Sequence, residues 1–159
     1  MKENIRIDKA KESMLAAIQS FNNPFAQYRE ETFLQLALVA WTHLLHQKLE
    51  SADVPLKKKN GNYLSLYECI NKQEAGLEPE QIKVLNDLIK LRNDVVHDGS
   101  KATILSREYS KLTNCAVFFE KYLESFGFKL KLGDVPFYAI SLTKLTSICL
   151  LYTSPSPRD

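Results

Sequence analysis

EQIKVLNDLIKLRNDVVHDG, residues 80–99, is the stretch on which the fold turns. On a wheel of about 100° per residue, Val84, Leu85, Leu88, Ile89, Leu91, Val95 and Val96 fill an arc of roughly 180°. Lys83, Asn86, Asp87, Lys90, Asp94 and Asp98 take the opposite side. That is the pattern of a well-buried helix packed in a bundle. Arg92 falls near the middle of the apolar arc, where an unpartnered charge is costly. Asn93 and His97 are four apart and share one edge of the helix. Gly99 suits a left-handed cap just past the end, and His97 sits at the negative end of the helix dipole. A guanidinium, an amide and an imidazole thus converge on one helix terminus, a set able to hold a phosphate and move a proton.

Reading outward, the spacing of Ala10, Met14, Ala17, Ile18 and Phe21 predicts a first amphipathic helix from Ile5 to Phe21. Asn23 and Pro24 then supply a cap and a first-position proline for a second helix running to Glu50. Between Phe33 and Leu49 that helix is apolar on nearly every side, which makes it central. Lys57, Lys58 and Lys59 precede Asn60-Gly61, the signature of a type I′ turn joining a short two-stranded ribbon. Ser65 and Glu68 have capping-box spacing and open a short helix, and Pro79 starts the helix quoted above. A last helix is expected from Ile104 to Phe126, ended by Gly127. The expected fold is all-α: a bundle of four to five helices with a short β-hairpin inserted between the second and third long ones.

The chain has 159 residues, 45% hydrophobic and 25% charged, an ordinary globular mixture with room for one core. A formal charge of +2 is too small to mark a nucleic-acid binder by itself, so any RNA contact must come from a local patch. The charged start lacks a signal peptide and no run reaches a membrane span, which leads to the expectation of a cytoplasmic protein. Cys69, Cys115 and Cys149 have no metal or disulfide spacing, and neither a cofactor nor a metal is expected. His43 and His46 are three apart on one helix without a third ligand beside them, so they read as core or rim residues. Cys69, Cys115 and Trp41 read as core. The last eleven residues, Cys149 to Asp159, look like an in-frame translation of a sequencing adapter, with the natural sequence interrupted near Ile148. The expected division is a bundle over 1–127, the start of a truncated segment over 128–148, and a non-native tail over 149–159.

Arg92-Asn-Asp-Val-Val-His97 resembles the R-x4-H signature of the HEPN superfamily, whose helical bundle carries the motif late in its third main helix. Several upstream blocks narrow the likeness: Tyr28-Arg-Glu-Glu-Thr-Phe33, Ala40-Trp41 with Leu44-Leu45, and the Lys-rich Asn60-Gly61 turn followed by Ser65-Leu66 and Glu68-Cys69. Together with the motif they resemble the family known as domain of unknown function 3644, over about Ser13 to Phe128. The superfamily likeness implies metal-independent cleavage of RNA by a homodimer formed through the Arg92–His97 helix, in a toxin or antiphage effector. It casts His97 as the proton carrier and Arg92 as the phosphate-holding fork, with Asn93 holding the ring or a phosphate oxygen. The expected product bears a 2′,3′-cyclic phosphate, and DNA is spared for want of the 2′-OH.

Each of these residues also has a plainer reading. Arg92 could pair inside the bundle with Glu30 or Glu31, and Glu31 could equally orient the guanidinium for catalysis. His97 could bond the last carbonyls of its helix. Lys57, Lys58 and Lys59, with Lys90 on the polar face of the motif helix, are the expected RNA contacts, though a lysine-rich turn is often only solvated. The rival to a nuclease is a non-catalytic helical module that binds RNA or another protein, or that dimerises.

Overall fold

The computed structural model describes residues 4–99 and 107–130. Asn4 accepts the Ile7 N–H through its side chain and caps α1, Ile5–Asn22. Ile7, Ala10, Met14, Ala17, Ile18 and Phe21 form its buried stripe. The second helix begins later than the sequence suggests. Asn23 Oδ1 accepts the Phe25 N–H at 3.0 Å, which closes a tight turn instead of capping a helix at Pro24. Helix α2 therefore spans Arg29–Ser51.

α2 touches every other helix, as its apolar sequence predicts, yet it is not buried all round. Gln35 and Val39 face outward, and His43 and His46 lie half-buried further along. Its inner side carries Phe33, Leu34, Leu44, Leu45 and Trp41, all fully buried. The Trp41 ring meets Phe119 edge-on at 5.6 Å, and its Nε1–H donates to the Cys115 carbonyl oxygen at 3.2 Å. That bond satisfies the one polar atom of a large buried ring.

Between α2 and the next helices the chain makes a single antiparallel bridge, Lys57 opposite Tyr63, and no strand forms among the described residues. The turn is not type I′, which needs positive φ at two central residues. Gly61 takes φ +86° but Asn60 does not join it; the Gly61 N–H reaches back to the Lys58 carbonyl at 2.9 Å. Helix α3, Leu66–Ile70, opens with the full Ser65–Glu68 capping box, and a 3-10 turn over Gln73–Ala75 follows.

Helix α4, Pro79–His97, starts with the proline at its first turn and a Glu78–Gln81 capping box. Gln81, Val84, Leu85, Leu88, Ile89 and Val95 are its buried face. Two expectations fail at its end. Val96 is 59% exposed, because the neighbouring helices do not reach round to cover it. Gly99 has no positive φ; the helix stops on Asp98 in an extended conformation, with the Asp98 N–H on the Asp94 carbonyl at 2.8 Å. Helix α5, Tyr109–Ser125, ends at Gly127 with φ +80°. Phe128 and Leu130 then fold back onto the core. The expected helix start at Ile104, most of segment 128–148 and the tail 149–159 lie outside the described residues. No described helix is long and apolar enough to cross a membrane.

Candidate functional site

Arg92 sits half-buried where α4 leaves the bundle, and the final turn beyond it presents Asn93, Val96 and His97 to solvent. The Arg92 fork closes on its neighbour: Nε and Nη2 both donate to Asn93 Oδ1, at 3.3 and 3.0 Å. No carboxylate among the described residues lies within ion-pair distance of the guanidinium. The two acids suggested by sequence are occupied elsewhere. Glu30 accepts the Tyr109 hydroxyl at 2.9 Å and faces Arg29 at 3.7 Å, and Glu31 accepts the Gln35 amide at 3.3 Å. The Tyr109 phenol is held above its usual pKa, by burial first and then by its bond to Glu30. This bond ties the start of α5 to the start of α2, and Lys90, Leu91 and Asp94 line a depression with Glu108 and Lys111, which sets the last turns of α4 at that end of the bundle.

Helical geometry limits what one chain does with these groups. Asn93 and His97 are one turn apart on the same edge, but Arg92 and His97, five residues apart, diverge by roughly 140° around the axis. The structure joins Arg92 to Asn93 and leaves His97 on the neighbouring face.

The lysines divide. Lys58 is engaged, its Nζ on Glu68 at 2.9 Å, and that pairing holds the Glu68 carboxyl below its ordinary pKa. Lys57 and Lys59 are exposed. Lys90 borders a depression of about 220 Å³ with Asp87, Asp94, Glu108 and Lys111. Lys111 is already 3.2 Å from Glu108 and 3.5 Å from Asp87. Three carboxylates against two lysines make poor ground for an RNA phosphate, so Lys90 is the weakest of the expected contacts.

His43 and His46 gain no third metal ligand: among the described residues, no group of three His, Cys, Asp or Glu side chains gathers. They do have company that the sequence does not announce. With Ile5, Arg6, Lys9 and Tyr63 they line a cavity of about 670 Å³ at the far end of α2. The available signal was paired spacing, Arg6 with Lys9 and His43 with His46, each three apart on its helix. Only the packing of α1 against α2 shows that the pairs face one another.

Comparison with known proteins places the chain. No curated protein and no solved structure matches it. The family described as Domain of unknown function (DUF3644) matches over residues 5–147, which takes in the five described α-helices and the whole Arg92–His97 segment. The chain therefore belongs to the DUF3644 family.

Proposed function

We propose that the chain is a HEPN-type, metal-independent endoribonuclease that acts as a homodimer through the exposed end of α4. The observation that carries this reading is the state of Arg92. Its fork rests on a neighbouring amide and, among the described residues, on no carboxylate, at a surface where a second molecule can reach it. A guanidinium kept this way exchanges a neutral acceptor for a phosphate at little cost. The exposed Val96 offers an apolar contact between the two copies of the helix. A twofold pairing there brings the Arg92 of one protomer toward the partner's imidazole and so overcomes the divergence within one chain.

In the cleft so formed, one His97 removes the proton from a ribose 2′-OH, and the 2′-oxygen attacks the adjacent phosphorus. The P–O5′ bond breaks as the other His97 protonates the leaving oxygen, giving a 2′,3′-cyclic phosphate and a free 5′-OH. Arg92 stabilises the charge that builds on the phosphoryl oxygens, and Asn93 steadies the guanidinium.

The test is cleavage of single-stranded RNA in EDTA by purified protein. The reading expects cyclic-phosphate ends, loss of cutting in His97→Ala with the helical spectrum intact, and loss of both dimer and cutting in Val96→Asp. Full cleavage by His97→Ala sinks the catalytic assignment. An α4-mediated dimer without cleavage supports the interaction module instead.

A further inference from the structure

At the opposite end of α2 from the Arg92–His97 segment, the cavity between α1, α2 and the Lys57–Tyr63 loop gathers cations around an exposed aromatic ring. Arg6 and Lys9 come from the first turns of α1, His43 and His46 from α2, and Tyr63 from the loop. Lys57 stands directly opposite Tyr63, in a pair flanked by the Lys58 N–H to Asn62 O bond at 2.7 Å and the Leu64 N–H to Leu56 O bond at 2.8 Å. In such a pair both side chains rise from the same face of the ribbon. Glu50 opposes the charge of Arg6 at 3.6 Å.

The imidazoles differ. His46 Nε2 donates to the Leu64 carbonyl oxygen at 2.8 Å, which anchors the loop to α2. His43 is held below its usual pKa, by burial first and then by Lys9, His46 and Arg6. Burial and the neighbouring cations both disfavour a charge on His43, and an arriving anion would offset the part due to the cations. Tyr63 is 59% exposed, and its ring sits 6.4 Å from His46. Cations beside an exposed aromatic face form the arrangement that holds single-stranded nucleic acid, with phosphate on the cations and base on the ring.

We infer that this cavity is a second RNA site, in which Arg6, Lys9 and His43 take a backbone phosphate and Tyr63 stacks on the adjoining base. The inference deepens the nuclease reading and rests on it for the choice of RNA as ligand. From Glu30 to His46 is sixteen residues, about 24 Å of helix at 1.5 Å per residue. A strand of a few nucleotides spans that distance, so substrate would be gripped well away from the bond that is cut.

The experiment measures binding in the His97→Ala protein, where no cleavage is needed, using a fluorescent uridine hexamer, uridine monophosphate and inorganic phosphate. Expected results are RNA binding that weakens by about tenfold or more in Lys9→Glu and by about tenfold in Tyr63→Ala, the scale of one stacked base. The His43 imidazole resonance should move on titration with RNA, and binding should tighten as pH falls and His43 takes up its proton. Around His43 stand Arg6, Lys9, His46 and Tyr63 in the cavity wall, with Glu50 paired to Arg6 and Lys57 opposite Tyr63. Monophosphate binding as tight as the hexamer would make the site one for free nucleotides and overturn the RNA assignment. Equal RNA affinity in wild type, Lys9→Glu and Tyr63→Ala overturns it as well. Because the readout is binding, a cavity that holds RNA in a protein that never cuts condemns the nuclease reading alone.

Discussion

At the scale of single residues, Arg92 is the informative one. Sequence periodicity sets it in the apolar arc, but periodicity says nothing about where the neighbouring helices end, and here they end before Arg92 is enclosed. A guanidinium with one neutral partner and partial exposure contributes little to stability. Arg92→Met is therefore expected to change unfolding free energy by no more than about 0.5 kcal/mol in urea titration, while abolishing RNA cleavage. A large destabilisation with unchanged cleavage would make the residue structural. The cysteines behave in the opposite way. Burial pushes the Cys69 thiol up to about 11 and the Cys115 thiol up to about 12. Both are thiols at pH 8, enclosed in the core. Iodoacetamide should leave these two peptides unmodified in native protein and label them rapidly in urea, as read by mass spectrometry.

At the scale of elements, three local rules held, each with its partners only a few residues apart. The Ser65–Glu68 box, Pro79 at its helix start and Gly127 at its helix end were all legible, because each depends on backbone groups within one turn. The failures lie where two local rules compete or where a longer-range fact decides. Asn23 could cap a helix or close an Asx turn, and the turn won. Asn60-Gly61 could form a type I′ turn, but the Lys58 carbonyl draws the Gly61 N–H into a different one. Glu68 serves two elements at once, capping α3 and holding Lys58. Ser65→Ala should cost about 1 kcal/mol. Glu68→Gln keeps an acceptor for the box and removes only the pairing with Lys58. The folded Glu68 carboxyl titrates below its unfolded value, so its contribution is present above the unfolded pKa and fades as pH falls through the folded one. Glu68→Gln should thus lower the melting temperature at pH 7 and make less difference at pH 3.

At the scale of the whole molecule, the candidate motif was readable because it lies within six consecutive residues, and the far cavity was not because it is assembled from three separated segments. Arg6 and His43 are thirty-seven positions apart in the chain. Nothing in helical spacing joins them; the register of α1 on α2 does. The core between these ends is shared by all the helices, so damage in it should be felt everywhere together. Phe119→Ala, which removes the ring packed edge-on against Trp41, is expected to cost about 3–5 kcal/mol in a single unfolding transition measured by circular dichroism.

That same indole gives the molecule a built-in optical gauge. The chain has one tryptophan, wholly enclosed and tied to a carbonyl of the last described helix. Its emission should be blue and shielded from acrylamide in the native state, then shift to the red in one step on melting. Any variant whose colour stays native while its activity disappears can be scored as chemically disabled with its interior undisturbed.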